Sequence, residues 1–291
     1  MVKISEALEK AGYHEGIQLA TEKNAEELPE ALLASPVPPT PPTPIIEKPK
    51  PANAMSGKWD ERLFKAINGD NTLPEVFKIL RSRILHPKDG KAVPKTIMVT
   101  SATPKEGKSF ITANLGISLA QGIDQHSLLV DCDLRRPALA GLFGMKTSVG
   151  LVDYLQDEMQ LADLICKTSL EKLSVLPSGK PPLNPAELLS STRMCALVEE
   201  LSSRYKDRII IFDTPPTLVA AETSVLAGQV DAVILVVRQG GASQGAVQQI
   251  IDLIGAEQIL GIVFNDWNTN AFEKTLFKGY GNYYQNYHNY H

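Results

Sequence analysis

The segment Ala102-Thr-Pro-Lys-Glu-Gly-Lys-Ser109 constrains this chain more than any other. It fits the phosphate-loop pattern, which works only as the turn between a strand and a helix. Residues Thr96 to Thr100 before it read as a strand, and a helical pattern opens after it. In that setting the loop and the helix N-terminus turn backbone N–H groups toward phosphate oxygens. Gly107 lets the backbone come close, Lys108 reaches the outer phosphates, and the Ser109 hydroxyl suits Mg²⁺. Thr103, Pro104, Lys105, Glu106, Gly107, Lys108 and Ser109 are therefore predicted to bind a nucleoside triphosphate.

The rest of the chain agrees with an α/β body. Leu128 to Asp131, Leu173 to Leu176, Ile209 to Asp213, Ala232 to Val237 and Leu260 to Asn265 also read as strands, with helical patterns between most of them. Several are apolar on both faces, as in a parallel sheet covered by helices. The expectation is a doubly wound, mainly parallel sheet of the P-loop NTPase, MinD/ParA-like type, over residues 59–270.

Two strand ends carry carboxylates. Leu128 to Asp131 runs into Val130-Asp-Cys-Asp-Leu-Arg-Arg-Pro137, with Asp131 and Asp133 two apart and so on one side of an extended segment. Ile209 to Asp213 is an apolar strand ending in an aspartate, the Walker B layout. Many P-loop hydrolases place a water-activating glutamate next, where this chain has Thr214. Transfer to an acceptor other than water becomes the more natural chemistry. The last strand ends in Asn265-Asp266 rather than the NKxD pattern that reads guanine, so ATP is preferred, with Asn265 beside it.

The ends differ from the body. Ile4, Leu8 and Ala11 recur at helical spacing before Gly12, giving a one- or two-turn segment within residues 1–23. Residues 24–58 read as a disordered, semi-rigid linker, since eight of the sixteen residues from Pro36 to Pro51 are proline. Thr72-Leu-Pro-Glu75 reads as a capping box opening a helix to about Leu85, with Val76, Leu80 and Ile84 along one side. Residues 271–291 form a tail without a useful apolar period, and five of its last twelve residues are tyrosine: Tyr280, Tyr283, Tyr284, Tyr287 and Tyr290. No arginine cluster that would match a phosphorylated tail is visible in the sequence.

Charge and hydropathy exclude some classes. A net charge of −4 gives no global field for nucleic acid. Apolar runs stop at six residues, short of the ~20 a spanning helix needs, and no secretory signal is visible. Three distant cysteines make no disulfide framework. A cytoplasmic protein is the simplest reading.

The phosphate loop, VDCDLRRP, FDTPP, the run LPSGKPPLNPAELLSSTRM and the tyrosine tail, in that order, resemble the bacterial tyrosine kinases of polysaccharide export, the BY-kinases or chain-length-determinant autokinases. The resemblance covers roughly Leu73 to the end. It implies ATP and Mg²⁺ as cofactors, with Lys108 on the phosphates and Ser109, Asp133 and Asp213 holding the metal. It makes Asp131 the group that takes the proton from the attacking tyrosine. It also implies autophosphorylation of the tail between subunits, in control of exopolysaccharide or capsule chain length and export. Glu75, Lys78 and Arg81 match an E-x-x-R-x-x-R element that packs subunits into a ring, with lysine in place of the first arginine. The resemblance further implies a separate transmembrane chain-length-determinant, or polysaccharide co-polymerase, as activator, a tyrosine phosphatase, and a place at the inner face of the cell membrane.

The alternative is a MinD/ParA-type ATPase switch without kinase activity. Those proteins carry a second lysine five residues before the loop lysine, where this chain has Thr103, and they tend to end in a basic amphipathic helix rather than in tyrosines. A non-catalytic ATP-binding adaptor is a further reading, which a substitution of Asp131 distinguishes.

Overall fold

A computed structural model describes residues 57–63, 73–87, 90–204 and 207–266. The N-terminal segment 1–23, all of the linker up to residue 56, Thr72 of the capping box, and the five tail tyrosines lie outside the described residues.

The elements follow in chain order as α1 (Leu73–Leu85), β1 (Thr96–Ser101), α2 (Lys108–Ala120), β2 (His126–Asp131), α3 (Leu139–Leu142), α4 (Leu151–Leu155), α5 (Leu161–Leu164), β3 (Cys166–Lys167), β4 (Leu173–Leu176), α6 (Pro185–Leu189), α7 (Thr192–Arg204), β5 (Arg208–Asp213), α8 (Glu222–Ala227), β6 (Ala232–Arg238), α9 (Gln244–Ile254) and β7 (Ile259–Asn265). They form a seven-stranded sheet ordered β3-β4-β2-β5-β1-β6-β7. Every described pairing is parallel except β3 with β4. The two-residue β3 is too short to leave a periodic trace in sequence.

Burial explains why the central strands read as continuous apolar runs. β1 is buried along its whole length, and β2 and β5 are buried from their second residue on. Helices cover both faces of such a sheet, so neither side of the strand can be polar. Gly116 allows α2 to approach closely, because a Cβ there would stand 2.5 Å from Leu129 Cδ2 on β2. At the far edge β7 differs: Leu260, Ile262 and Phe264 alternate outward and are 38%, 38% and 60% exposed.

Helix α1 turns differently from the expected face. Phe77 and Ile84 are buried and Leu73, Leu80 and Leu85 pack beside them, while Val76 is more than half exposed. Val76 and Phe77 are neighbours in sequence, and the larger aromatic takes the inner position because it removes more apolar area from water. The body of the domain also takes in Gly57, assigned to the linker, together with Trp59, the first residue assigned to the domain. The Gly57 N–H donates to Gly144 O (3.1 Å), and the Trp59 ring meets Phe143 edge-on with centroids 5.1 Å apart.

Candidate active site at the carboxyl ends of the strands

Chain order reverses around β1, whose neighbours are β5 on one side and β6 on the other. Ligands of doubly wound sheets bind beyond the carboxyl ends at such a point. The loop 102–107 leaves β1 there and feeds α2. Lys105 and Gly107 both adopt left-handed backbone, at φ 66° and 93°. A side chain at Gly107 would meet both the strain of that conformation and the Asn265 amide, whose Nδ2 lies 2.1 Å from where its Cβ would be.

The predicted loop residues divide into two groups. Pro104, Lys105, Gly107, Lys108 and Ser109 line a cleft of 530 Å³. Thr103, Glu106 and Asn265 do not; they build the loop itself. The Glu106 carboxylate is buried and accepts from the N–H groups of Ala102 (3.1 Å), Thr103 (3.2 Å) and Ala242 (2.9 Å). Asn265 Nδ2 donates to Glu106 O at 2.8 Å. The side chains of Glu106 and Asn265 are thus bonded into the loop rather than lining the cleft. A buried carboxylate needs donors, and the nearest ones are the backbone amides of the turn it sits in.

β5 lies between β2 and β1, and its register sets Asp131 directly opposite Asp213. Both carboxylates are fully buried. Asp131 Oδ2 accepts from the Ala138 and Leu139 N–H groups, each at 3.0 Å, while its Oδ1 has no partner. Asp213 Oδ1 accepts from the Thr112 hydroxyl (3.4 Å), and its Oδ2 has no partner. Burial, and then the like charge of Asp213, raise Asp131 well above the ordinary carboxylate range. Burial likewise pushes Asp213 up to about 7, against the opposing pull of the Ser109 hydroxyl and the Lys108 ammonium. Asp133, past the strand end, lines the cleft; burial raises it too, and Lys108 opposes this most strongly. β2 ends at Asp131, which is fully buried, while Asp133 lies just past the strand end.

Two buried carboxylate oxygens without partners, beside a serine hydroxyl at a helix N-terminus, suit a hard divalent cation. Among the described residues no three carboxylate, imidazole or thiolate groups converge closely enough to hold a metal ion unaided. Thr214, in the place of a hydrolase glutamate, turns away: its hydroxyl donates to Val99 O at 3.0 Å and it is fully buried.

Sequence reasoning passed over several cleft residues. Arg135 and Arg136 stand in the quoted VDCDLRRP run, and Arg135 pairs with the buried Glu222 at 2.8 Å. Pro215 and Pro216 follow Asp213 and form part of the wall. Arg62 carries no sequence signal; it reaches the rim because the Asp60 N–H donates to Leu142 O (2.9 Å) and docks this segment on α3.

Of the three residues expected between subunits, Lys78 pairs with Glu75 at 2.6 Å on the exposed side of α1. Arg81 instead donates through Nη1 to Ser118 O within its own chain. It thereby fills one of the carbonyls left over in the last turn of α2, where a cation is favoured.

Comparison with known proteins agrees with this geometry. Residues 95–259 match the AAA domain family. The chain is 35% identical over 173 residues to the tyrosine-protein kinase YwqD of Bacillus subtilis, covering 59% of this chain and 72% of that protein. It is 32% identical over 189 residues to EpsB of Ralstonia solanacearum, covering 64% of this chain, and spans only about a quarter (25%) of that relative's length. Among solved structures, the kinase domain of the Escherichia coli tyrosine kinase ETK matches with a TM-score of 0.62 and 26% identity, over 75% of this chain and 92% of that domain.

Proposed function

This chain is a member of the AAA-domain family of bacterial tyrosine-protein kinases, and from that premise we propose that it transfers the γ-phosphoryl group of ATP to tyrosines of its own C-terminal cluster. Residues 59–270 act as the kinase domain and 271–291 as the substrate tail. The observation that carries the reading is the pair of buried carboxylates, Asp131 and Asp213, set behind Lys108 and Ser109 with Thr214 bonded into the sheet. Such a site holds phosphates and a cation yet offers no side chain at the usual place to activate water.

Lys108 and the loop N–H groups hold and orient the phosphates. Ser109, Asp133 and Asp213 would hold Mg²⁺, which when bound neutralises charge on the phosphate oxygens. The bond between the γ-phosphorus and the bridging oxygen breaks, a bond from phosphorus to the phenolic oxygen forms, and ADP leaves. Asp131 accepts the phenolic proton on Oδ1, the oxygen without a partner. The aliphatic and proline wall formed by Leu142, Pro215, Pro216 and Val219 excludes water from one side.

The same reading places the kinase in the control of exopolysaccharide or capsule chain length and export. Its activator is a separate transmembrane chain-length-determinant protein, its phosphate is removed by a tyrosine phosphatase, and it works at the inner face of the membrane as a homo-oligomeric ring contacting through α1. Among the described residues no helix is long and apolar enough to cross a membrane.

The test is incubation of the purified chain with ATP and Mg²⁺, followed by mass-spectrometric mapping. Phosphate is expected on Tyr280, Tyr283, Tyr284, Tyr287 and Tyr290. Asp131→Asn should lower the rate while leaving nucleotide binding intact. Phosphate found mainly on serine or threonine, or release of inorganic phosphate without any phosphotyrosine, would sink the proposal and favour the ATPase switch.

A further inference from the structure

The opposite end of the sheet holds a second and larger cleft, of 690 Å³, where the strands begin. No single sequence run builds it. Lys78 and Arg81 come from α1, Lys95 from the residue before β1, and Arg208 from the start of β5. Against these four cations stand the wall carboxylates Asp124 and Asp207 and, beside the rim, Glu75; Lys78 is paired with Glu75 at 2.6 Å and Arg208 with Asp207, which leaves Arg81 and Lys95 as the cations without a carboxylate pair among the described residues. The floor is fixed: Arg81 is tied to Ser118 O, Lys172 Nζ donates to Gly122 O and Ile123 O, and Arg208 pairs with Asp207 at 3.3 Å. Arg81 donates one hydrogen bond, to Ser118 O, of the five its guanidinium can make. Lys95 is exposed.

The cleft also has an apolar side. Leu85, Val93, Pro94 and Ile123 line it, and Ile123 is 90% exposed. A cationic end beside an apolar wall is the chemistry that recognises a phosphorylated aromatic ring, with the phosphate among the cations and the ring against the wall. This chain supplies such a ligand. Its last twelve residues hold five tyrosines, and each phosphate adds about −1.5 to −2 charges at pH 7.

We propose that this cleft binds the phosphotyrosine-bearing tail, residues 279–291, of the same or a neighbouring copy. The inference rests on tail phosphorylation as the protein's activity. Reach is no obstacle. Tyr280 lies fourteen residues beyond Asp266, the last described residue after β7. That length spans up to about 46 Å when extended, against a sheet only about 23 Å deep along a strand of seven residues. Binding there would occupy Lys78 and Arg81, the residues proposed for the contact between subunits, so the product of the reaction would compete with assembly of the ring.

A chemically synthesised, fluorescently labelled peptide of residues 278–291, with phosphotyrosine at positions 283, 284 and 287, tests this by anisotropy on the full-length dephosphorylated chain without ATP. Because the peptide is phosphorylated by synthesis, the result does not depend on whether this chain is itself a kinase. The phosphorylated peptide should bind at least about tenfold more tightly than the unmodified one, a gain of the size expected for new charge-assisted hydrogen bonds. Lys95→Glu should weaken it about tenfold, and Ile123→Asp should weaken it severalfold. Each variant is checked for an unchanged melting temperature, and both sites are exposed enough to be replaced separately. A peptide with phosphoserine at the same positions should bind severalfold more weakly, and saturating Mg·ADP should not displace the phosphotyrosine peptide. Equal affinity for modified and unmodified peptides, or indifference to both variants, overturns the site. Displacement by Mg·ADP moves the ligand to the phosphate loop, and equal binding of phosphoserine removes the aromatic assignment; either result overturns the proposal as stated.

Discussion

At the carboxyl ends of the strands, a 530 Å³ cleft backs onto Asp131, Asp133 and Asp213, two of them fully buried. At the amino ends, a 690 Å³ cleft is edged by Lys78, Arg81, Lys95 and Arg208, which stand in or near solvent. One end confines like charges at low dielectric and leaves carboxylate oxygens without partners; the other spreads opposite charges over a wet rim. The first arrangement costs stability until a ligand arrives, which is how sites tuned for chemistry often behave. The second costs little and suits reversible docking of an anion. Substitutions at the two ends should therefore differ in kind as well as in size.

The largest effect is expected at Lys108. Lys108→Met removes the only side-chain cation of the phosphate loop that is buried, and phosphotyrosine formation should fall by about 10³-fold or more. Phosphorylation assayed with labelled ATP checks this, and activity within tenfold of the parent chain would break the assignment of this end as catalytic.

Next comes a gain of stability at the same site. Asp213 is pushed up to about 7 from an ordinary value of 3.8. Between those values the folded chain holds a proton that the unfolded chain has released, so this group's contribution falls as pH rises from about 4 to about 7. Asp213→Asn should thus raise the melting temperature of the nucleotide-free chain by a few degrees at pH 7.5, on the order of 1–2 kcal/mol, and by much less at pH 5. It should also remove phosphate transfer. A variant less stable than the parent at pH 7.5 would show that the buried carboxylates do not oppose one another as described.

At the basic end the effects shrink and separate. Arg81→Met should destabilise the monomer by about 1–2 kcal/mol in urea, because Ser118 O loses a charged donor at the end of α2. If Arg81 acted only between copies, dilute monomer would be unaffected. Lys78→Ala should change monomer stability by less than about 0.5 kcal/mol, since its pair with Glu75 is half-exposed on both sides. Light scattering with Mg·ATP should nonetheless show Lys78→Ala weakening the oligomer; the same mass for variant and parent would confine Lys78 to a solvated surface pair.

What the sequence by itself determined is what local backbone geometry determines. The loop 102–109 is legible because phosphate binding by successive N–H groups needs a fixed spacing, and six strands are legible because a sheet covered on both faces admits only apolar runs. What lies near what was decided by tertiary structure. Asp131 and Asp213 are 82 positions apart and meet only because β5 inserts between β2 and β1. Glu106 and Asn265 sit in the right neighbourhood, yet their side chains are taken up by backbone: N–H groups donate to the Glu106 carboxylate, and the Asn265 amide donates to the Glu106 carbonyl. Val76 and Phe77 exchange places for want of any periodic signal that separates neighbours. Lys78 and Arg81 are legible as one helix face, but their meeting with Lys95 and Arg208 has no trace in sequence, because the cluster is gathered from a helix, a loop and the start of a strand, which only the order of the strands brings to one end of the sheet.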